Sequence, residues 1–197
     1  MQEIEVKFLN IDIGVVQRRL EYIGAKKDGE YFQRWKVFDY PDWRLDKDGS
    51  WLRLRDEGDG RITLTFKKRL GMQSREGAIN DLGMEEIELQ IDSFDNAVCL
   101  FAKIGFIEKH YAEKRRIRWK KDDTEFDIDI YPELEPYLEI ETTSWDKIDE
   151  AIEILGFDQQ DKKIFSANQV YALKGIKVAD LERITFAEGL VKRPKEY

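Results

Sequence analysis

Charged and apolar residues alternate along six short segments of the sequence, and this period of two predicts strands with one charged and one apolar face. The positions between the charges are mostly apolar, as in the run Phe126, Ile128 and Ile130. The charged members are Glu3, Glu5 and Lys7; Arg53 and Arg55; Glu86 and Glu88; Lys114 and Arg116; Asp127 and Asp129; and Glu139 and Glu141.

Two interpretations of the charged faces are open. In an ordinary antiparallel sheet the apolar face covers the core and the charged face meets water, and this is the commoner arrangement for any one strand. Recurrence of acidic pairs and basic pairs at the same spacing favours a closed sheet with a charged interior and helices on its apolar exterior. Because desolvating an unpaired ion is costly, that interior needs paired charges or a polar ligand.

Three Glu-x-Glu strands are each followed by an amphipathic segment that begins at a capping residue and ends near a glycine, which predicts helices. We interpret this as an imperfect internal repeat within one domain. The predicted helices run from Asp12 to Gly24, from Ser93 to Gly105 and from Ser144 to Gly156.

The remaining alternating segments predict hairpins, which brings the expected number of strands to about eight. The predicted fold is therefore α+β, a closed antiparallel eight-stranded barrel with helices outside. Residues 1–173 form the expected domain, and residues 174–197 a tail packed on the barrel. Residues 69–83 show no clear period, so they are expected to be a mobile loop able to cover an entrance. The hairpin segments are 31–40, 50–55, 62–69, 113–120 and 125–131.

Composition narrows the possible functions. Lys and Arg total 33 against 41 Asp and Glu, and the net charge of -8 argues against coating nucleic acid. The single cysteine excludes an intramolecular disulfide, and no apolar run approaches the roughly 20 residues of a membrane span, so the expected location is the cytoplasm. Clustered carboxylates suit Mg²⁺ or Mn²⁺, and facing lysines and arginines suit phosphate oxygens.

The Glu-x-Glu-x-Lys opening at residues 3–7 resembles the signature of the CYTH superfamily, the triphosphate tunnel metalloenzymes. The resemblance covers about residues 2–173, and Met84 departs from it where related sequences often carry a basic residue. Further motifs follow in the family's order: Arg53-Leu54-Arg55, Leu64-Thr65-Phe66-Lys67, Glu86-Ile87-Glu88, Lys114-Arg115-Arg116, Asp129-Ile130-Tyr131-Pro132 and Tyr137-Leu138-Glu139-Ile140-Glu141.

The resemblance implies three groups of site residues. The implied metal ligands are Glu3, Glu5, Glu139 and Glu141, with Asp129, Glu86 and Glu88 as further ligands or water-positioning groups. The implied phosphate-binding residues are Lys7, Arg53, Arg55, Lys67, Lys114 and Arg116. The implied catalytic residues are Glu5, Lys7, Asp129 and Glu88. By contrast, Arg118 is expected on a solvated face, His110 at the surface and Cys99 in the core.

The family resemblance implies a metal-dependent triphosphatase acting on tripolyphosphate, a nucleoside triphosphate or thiamine triphosphate. The alternative within the family is a class IV adenylyl cyclase, which makes cyclic AMP and pyrophosphate from ATP. A third hypothesis is a module that binds polyphosphate or a nucleotide without turnover. The expected partner is a small-molecule triphosphate held with Mg²⁺ or Mn²⁺, and a homodimer is compatible with the sequence.

Overall fold

The computed structural model describes residues 4–69, 72–75, 78–81 and 84–194, with the side chains of 72–75, 78–81 and 84 left aside. The strands are β1 (Ile4–Phe8), β2 (Lys26–Asp39), β3 (Ser50–Asp56), β4 (Ile62–Arg69), β5 (Met72–Arg75), β6 (Ala78–Asp81), β7 (Met84–Ile91), β8 (Ile107–Lys121), β9 (Thr124–Ile130), β10 (Tyr137–Thr142), β11 (Leu181–Thr185) and β12 (Gly189–Lys192). The helices are α1 (Ile13–Tyr22), α2 (Arg44–Lys47), α3 (Phe94–Lys103), α4 (Trp145–Leu155) and α5 (Ala167–Leu173).

The α+β class is confirmed, but the closed eight-stranded barrel is wrong. Within the described ranges the main sheet has ten strands in the order β1-β10-β9-β8-β2-β3-β4-β7, with β11 beside β8 and β12 beside β11. The second edge of β1 pairs at one residue with a segment outside the named strands. The Lys7 amide donates to the Lys163 carbonyl at 2.8 Å, and the Lys163 amide donates back to Lys7 at 3.0 Å.

The chain divides into two compact units. The first unit comprises Met1–Phe32, Lys114–Leu181 and Thr185–Tyr197; the second comprises Gln33–Glu113 and Glu182–Ile184. Strands β11 and β12 lie in the segment after residue 173, and the expected division at residues 173 and 174 stays a prediction.

Each unit has its own apolar core on one face of its strands. In the first unit, α1 and α4 cover β1, β9 and β10, and Val6, Ile128 and Ile140 are fully buried. In the second unit, α3 packs Phe94 and Phe101 against β3. The apolar positions of β1, β3, β9 and β10 therefore lie under helices, as the sequence predicts. On β7, by contrast, the apolar positions are open to solvent, since Ile87 is 54% and Leu89 56% exposed.

The three predicted helices after Glu-x-Glu strands are confirmed, together with their capping residues. Asp12 accepts a hydrogen bond from the Val15 amide at 2.8 Å, and Ser93 and Ser144 accept from the amides three residues ahead. These bonds satisfy amides that have no partner within the helix. Each helix start is thus set locally, by one side chain.

The segment expected to be an irregular loop contains paired strands. Strands β5 and β6 pair antiparallel, from Met72 opposite Asp81 to Arg75 opposite Ala78. Four residues give too few alternations to be recognised in the sequence. The mobility of this segment, and its ability to cover an entrance, stay predictions.

In the described part of the chain, we find no helix whose length and apolar character would let it cross a bilayer.

The Asp12 cap provides a test of the local analysis. Asp12→Ala removes the acceptor of the Val15 amide, so we expect the free energy of unfolding to fall by about 1 kcal/mol in urea titration. Glu21→Ala, an exposed change on the same helix, is the control and should leave stability nearly unchanged. Equal losses in both variants would contradict the assigned cap.

Candidate functional site

Both faces of the central strands of the first unit are buried, including the charged face. On that face Lys7 is 3% exposed, Asp129 0% and Glu139 7%. A solvated sheet face would leave these side chains in water. The charged face of the first unit is therefore an interior surface, which decides between the two interpretations of the alternating pattern there.

Arg116 on β8 connects three of the buried carboxylates. Its Nε and Nη2 atoms donate to the two oxygens of Asp129 at 2.6 and 2.7 Å, and Nη2 also donates to Glu139 at 3.0 Å. Its Nη1 lies 2.5 Å from Asp127. Burial alone would lower the pKa of Arg116, but these carboxylates, Asp129 foremost, raise it well above the usual value. Arg116 is thus held as a cation by protein groups.

Asp129 is correspondingly occupied by cations. The Lys114 ammonium donates to its Oδ2 atom at 2.8 Å, in addition to the two bonds from Arg116. Burial alone would raise the pKa of Asp129, but the charges of Arg116 and Lys114 lower it far below the ordinary value. The metal-ligating and catalytic roles of Asp129 and the phosphate contacts of Lys114 and Arg116 stay predictions. In this structure the three residues bind one another.

A second group of carboxylates gathers around Lys7. Antiparallel pairing places Glu5 opposite Glu141, and Lys7 opposite Glu139. The Lys7 ammonium contacts Glu5 and lies 3.0 Å from Glu139. Burial alone would raise the pKa of Glu139, but Arg116 and then Lys7 lower it, so the carboxylate is ionised.

The carboxylates near Lys7 fit a divalent metal. Oxygen atoms of Glu5, Glu139 and Glu141 lie within 4.8 Å of one another. An all-oxygen set of this kind suits hard ions such as Mg²⁺. The Lys7 ammonium, in contact with two of the three residues, shows that positive charge is favoured at this point. Glu3, the fourth predicted ligand, lies outside the described residues.

Two tyrosines on the charged face received no functional role from the sequence, although both stand in motifs that resemble the CYTH family. Tyr137 precedes Glu139 by two residues on β10, and Tyr131 follows Asp129 by two. Burial raises the pKa of both phenols, so they are neutral. Side chains two residues apart on a strand share a face, so Tyr131 and Tyr137 can be placed beside Asp129 and Glu139 from the sequence.

The charged face of the second unit is arranged in cross-strand rows. Arg53 on β3 lies opposite Thr65, which lies opposite Glu88 on β7. Lys67 lies opposite Glu86, and their charged atoms are 2.7 Å apart. The Thr65 hydroxyl donates to Glu88 at 2.9 Å. The structure thus brings the predicted residues of this unit together on one face.

Of Arg53 and Arg55, Arg55 has the larger number of contacts with neighbouring side chains. Its Nη1 atom lies 3.7 Å from Glu57, whose carboxylate accepts hydrogen bonds from Gln33 at 2.9 Å and Thr63 at 3.1 Å. Its guanidinium also lies over the Trp35 ring, 5.8 Å from the centroid.

Arg53, by contrast, has no counter-ion within ion-pair distance among the residues that the structure describes. The Nε atom of Arg53, like that of Arg55, is buried and makes no hydrogen bond. Burial, followed by the charge of Arg55, lowers the pKa of Arg53 to about 10, against a partial compensation by Glu57, Glu86 and Glu88. A largely buried cation beside a second cation favours an anionic ligand.

Three secondary predictions were wrong. Arg118 is largely buried rather than solvated, since its guanidinium donates to both oxygens of buried Asp127 at 2.8 Å. His110 is buried on β8, and Cys99 is exposed on α3. The exposure of each of these residues depends on which helix or strand covers it. The periodicity of the sequence does not predict that.

The comparisons with known proteins agree with this geometry. The family model described as the CYTH domain matches residues 1–171. This chain belongs to the CYTH family. The resemblance seen in the motifs is thereby confirmed. A Methanocaldococcus jannaschii protein named "putative adenylate cyclase" is 32% identical to this CYTH chain over 142 residues, which are 72% of this chain and 77% of the relative.

Solved structures show the same fold. A Pyrococcus horikoshii protein, 23% identical, superposes with a TM-score of 0.62 over 86% of this chain and 99% of its own. A Hippeastrum protein, named a "putative adenylyl cyclase" and described as having a dominant triphosphatase activity, is 19% identical. It superposes with a TM-score of 0.59 over 89% of this chain and 97% of its own.

The ion pairs of Asp129 predict how the stability of the protein depends on pH. Asp129→Asn removes the anion that Lys114 and Arg116 share, so we expect the free energy of unfolding to fall by about 3–5 kcal/mol near neutral pH. The pKa of Asp129 is lowered by folding, so its stabilisation is present above the unfolded pKa and is lost as pH falls through the folded one.

Urea titrations across this pH range measure the effect. The difference between wild type and Asp129→Asn should narrow on acidification, whereas Asp92→Asn, at an exposed position, should show no comparable change. If the difference in unfolding free energy between wild type and Asp129→Asn did not vary with pH, the assigned ion pairs would be contradicted.

Substitution of Arg53 should stabilise the protein, in contrast to substitution of Asp129. The pKa of Arg53 is lowered, which means that folding disfavours the charged form, so Arg53→Met should raise the melting temperature, by about 2–4 °C. The same change should reduce the stabilisation that inorganic tripolyphosphate gives the wild type in thermal melts. Arg61→Met, more than half exposed, is the control. A destabilised Arg53→Met with unchanged tripolyphosphate response would refute an anion-binding Arg53.

Proposed function

We propose that this CYTH protein is a divalent-metal-dependent triphosphatase that removes the terminal phosphate of inorganic tripolyphosphate or an organic triphosphate. The observation that carries the proposal is Arg53, a largely buried cation beside a second arginine and without a counter-ion within ion-pair distance in the described chain. In a protein with a net charge of -8, such a residue marks a local site for a strongly anionic ligand.

The carboxylates of Glu5, Glu139 and Glu141 would hold the metal, Mg²⁺ or Mn²⁺, because they supply clustered oxygen donors. A divalent ion there would supply positive charge that offsets the charge on phosphoryl oxygens. Lys7, already in contact with Glu5 and Glu139, would keep these carboxylates ionised and oriented.

The cations of the second unit would bind phosphate oxygens. Arg53 is available for a bidentate contact, and Arg55 and Lys67 would add charge from positions fixed by Glu57 and Glu86. Such contacts lower the repulsion that an attacking nucleophile meets at phosphorus.

Hydrolysis also requires an oriented water molecule. Glu88 fits this role, because Thr65 holds one of its oxygens while the residue stays exposed to solvent. The water oxygen would bond to the terminal phosphorus as the bridging P–O bond breaks, and pyrophosphate would leave from tripolyphosphate. The water proton would pass to a carboxylate or to solvent.

The second candidate is an adenylyl cyclase, favoured by the name of the Methanocaldococcus jannaschii relative. In that reaction the ribose 3′ hydroxyl attacks the α-phosphorus of ATP, and pyrophosphate leaves. The binding of the triphosphate would use the same carboxylates and cations, so the products distinguish the two reactions. A module that binds a triphosphate without turnover is the third outcome of the same assay.

The experiment is a product assay with Mg²⁺ or Mn²⁺, using tripolyphosphate and ATP as substrates. We expect orthophosphate from tripolyphosphate, and loss of at least about a hundredfold in rate for Glu5→Gln, Glu139→Gln and Glu141→Gln, because each loses a metal-binding charge. Glu21→Gln, an exposed change on α1, is the control. Cyclic AMP with pyrophosphate would establish the cyclase instead, and wild-type rates in all three variants would overturn the site.

A further inference from the structure

Two buried tyrosines of the first unit form a stacked pair on the charged face. The ring centroids of Tyr131 and Tyr137 are 5.8 Å apart, and the ring planes differ by 16°. Tyr137 lies opposite Asp129 in the pairing of β10 with β9, and Tyr131 directly follows β9. The pair therefore lies beside the ion network formed by Asp129 and its cations.

Each tyrosine ring has a lysine ammonium nearby. The Nζ atom of Lys114 is 5.5 Å from the Tyr131 centroid, and the Nζ atom of Lys7 is 5.9 Å from the Tyr137 centroid. Both distances lie within the range of cation–π attraction, which strengthens where water is excluded. Lys7 and Lys114 are both buried, so this condition is met.

The same two ammonium groups contact carboxylates on another side. Lys114 donates to Asp129 at 2.8 Å, and Lys7 contacts Glu5 and Glu139. A lysine side chain is flexible and its ammonium group has three donors without a fixed plane, so a carboxylate alone defines its direction poorly. A ring on a second side would restrict the position of the ammonium further.

The stack is braced by a third tyrosine from α5. Tyr171 meets Tyr131 edge to face, with centroids 6.2 Å apart and planes at 88°. Its hydroxyl donates to the Pro132 carbonyl at 2.7 Å, and Tyr171 is fully buried. Tyr131 is thus in contact with a ring whose own position is tied to the backbone after β9.

We propose that the stacked Tyr131 and Tyr137 rings are positioning residues that fix the ammonium groups of Lys7 and Lys114, with Tyr171 as their brace. The part of this inference that concerns substrate rests on the proposed triphosphatase function. The placement of the lysines does not. Neither tyrosine is assigned contact with the reacting atoms, and both act through the lysines.

The first test observes the lysines directly and needs no turnover. In protein labelled with ¹⁵N and ¹³C at lysine, the Cε protons of Lys7 should be shifted upfield by the ring current of Tyr137. Tyr137→Phe keeps the ring and should keep the shift, whereas Tyr137→Leu should remove it. A shift retained in the leucine variant, or lost in both variants, would overturn the positioning role.

Two variants of Tyr131 provide an independent measurement if Tyr137→Leu fails to fold. Tyr131→Phe should preserve the upfield shift of the Lys114 Cε protons, and Tyr131→Leu should abolish it. Tyr40→Leu is the matched control, because Arg44 lies over the Tyr40 ring in the second unit, 4.2 Å from its centroid. The control should leave the Lys7 and Lys114 signals unchanged, and a loss of those signals there would refute a specific effect.

The second test measures tripolyphosphate kinetics in the same variants. We expect Tyr137→Leu to raise KM by about tenfold with kcat nearly unchanged, and Tyr137→Phe to behave as wild type. A phenylalanine variant as impaired as the leucine variant would contradict a role for the ring. If tripolyphosphate is not hydrolysed at all, the proposed function fails, and the nuclear magnetic resonance result still decides the placement of the lysines.

Discussion

The buried contact between Arg116 and its carboxylates is the interaction on which the first unit depends. Four strands contribute charged groups to one face, and each group there would be costly to bury alone. The antiparallel register solves this by placing Arg116 opposite Asp129 and Lys7 opposite Glu139. Because a slip of one residue would turn every charge into the apolar core, the network and the hydrophobic packing require the same register.

The two units use their charges differently. In the first unit the charges around Asp129 bind one another, and the oxygen atoms of Glu5, Glu139 and Glu141 gather within 4.8 Å near Lys7. In the second unit Arg53 is largely buried with no anion within ion-pair distance among the described residues, at a cost in stability. Unfavourable burial of this kind is typical of binding surfaces, where the ligand supplies the missing charge.

The CYTH motifs and the alternation located most of the strands and three of the helices, because both depend on local chemistry. Asp12, Ser93 and Ser144 begin their helices through bonds to amides three residues away, so their positions are legible in the sequence. The open sheet could not be predicted from the sequence. The pairing of Lys163 with β1 joins residues more than 150 positions apart. The buried position of Arg118, which follows from the register between β8 and β9, could not be predicted either.

By itself, the sequence determined which residues share a strand face and that acidic and basic pairs recur there, since a period of two is a property of the backbone. Only the tertiary structure decided which charges neutralise each other and which do not. Arg53 and Arg116 look alike in the sequence, each two residues from another cation on the same strand face. Arg116 meets Asp129 across its strand pair, whereas Arg53 meets Thr65, a hydroxyl with no charge to offer. Cross-strand pairing therefore separates an arginine with a carboxylate opposite it from an arginine without one.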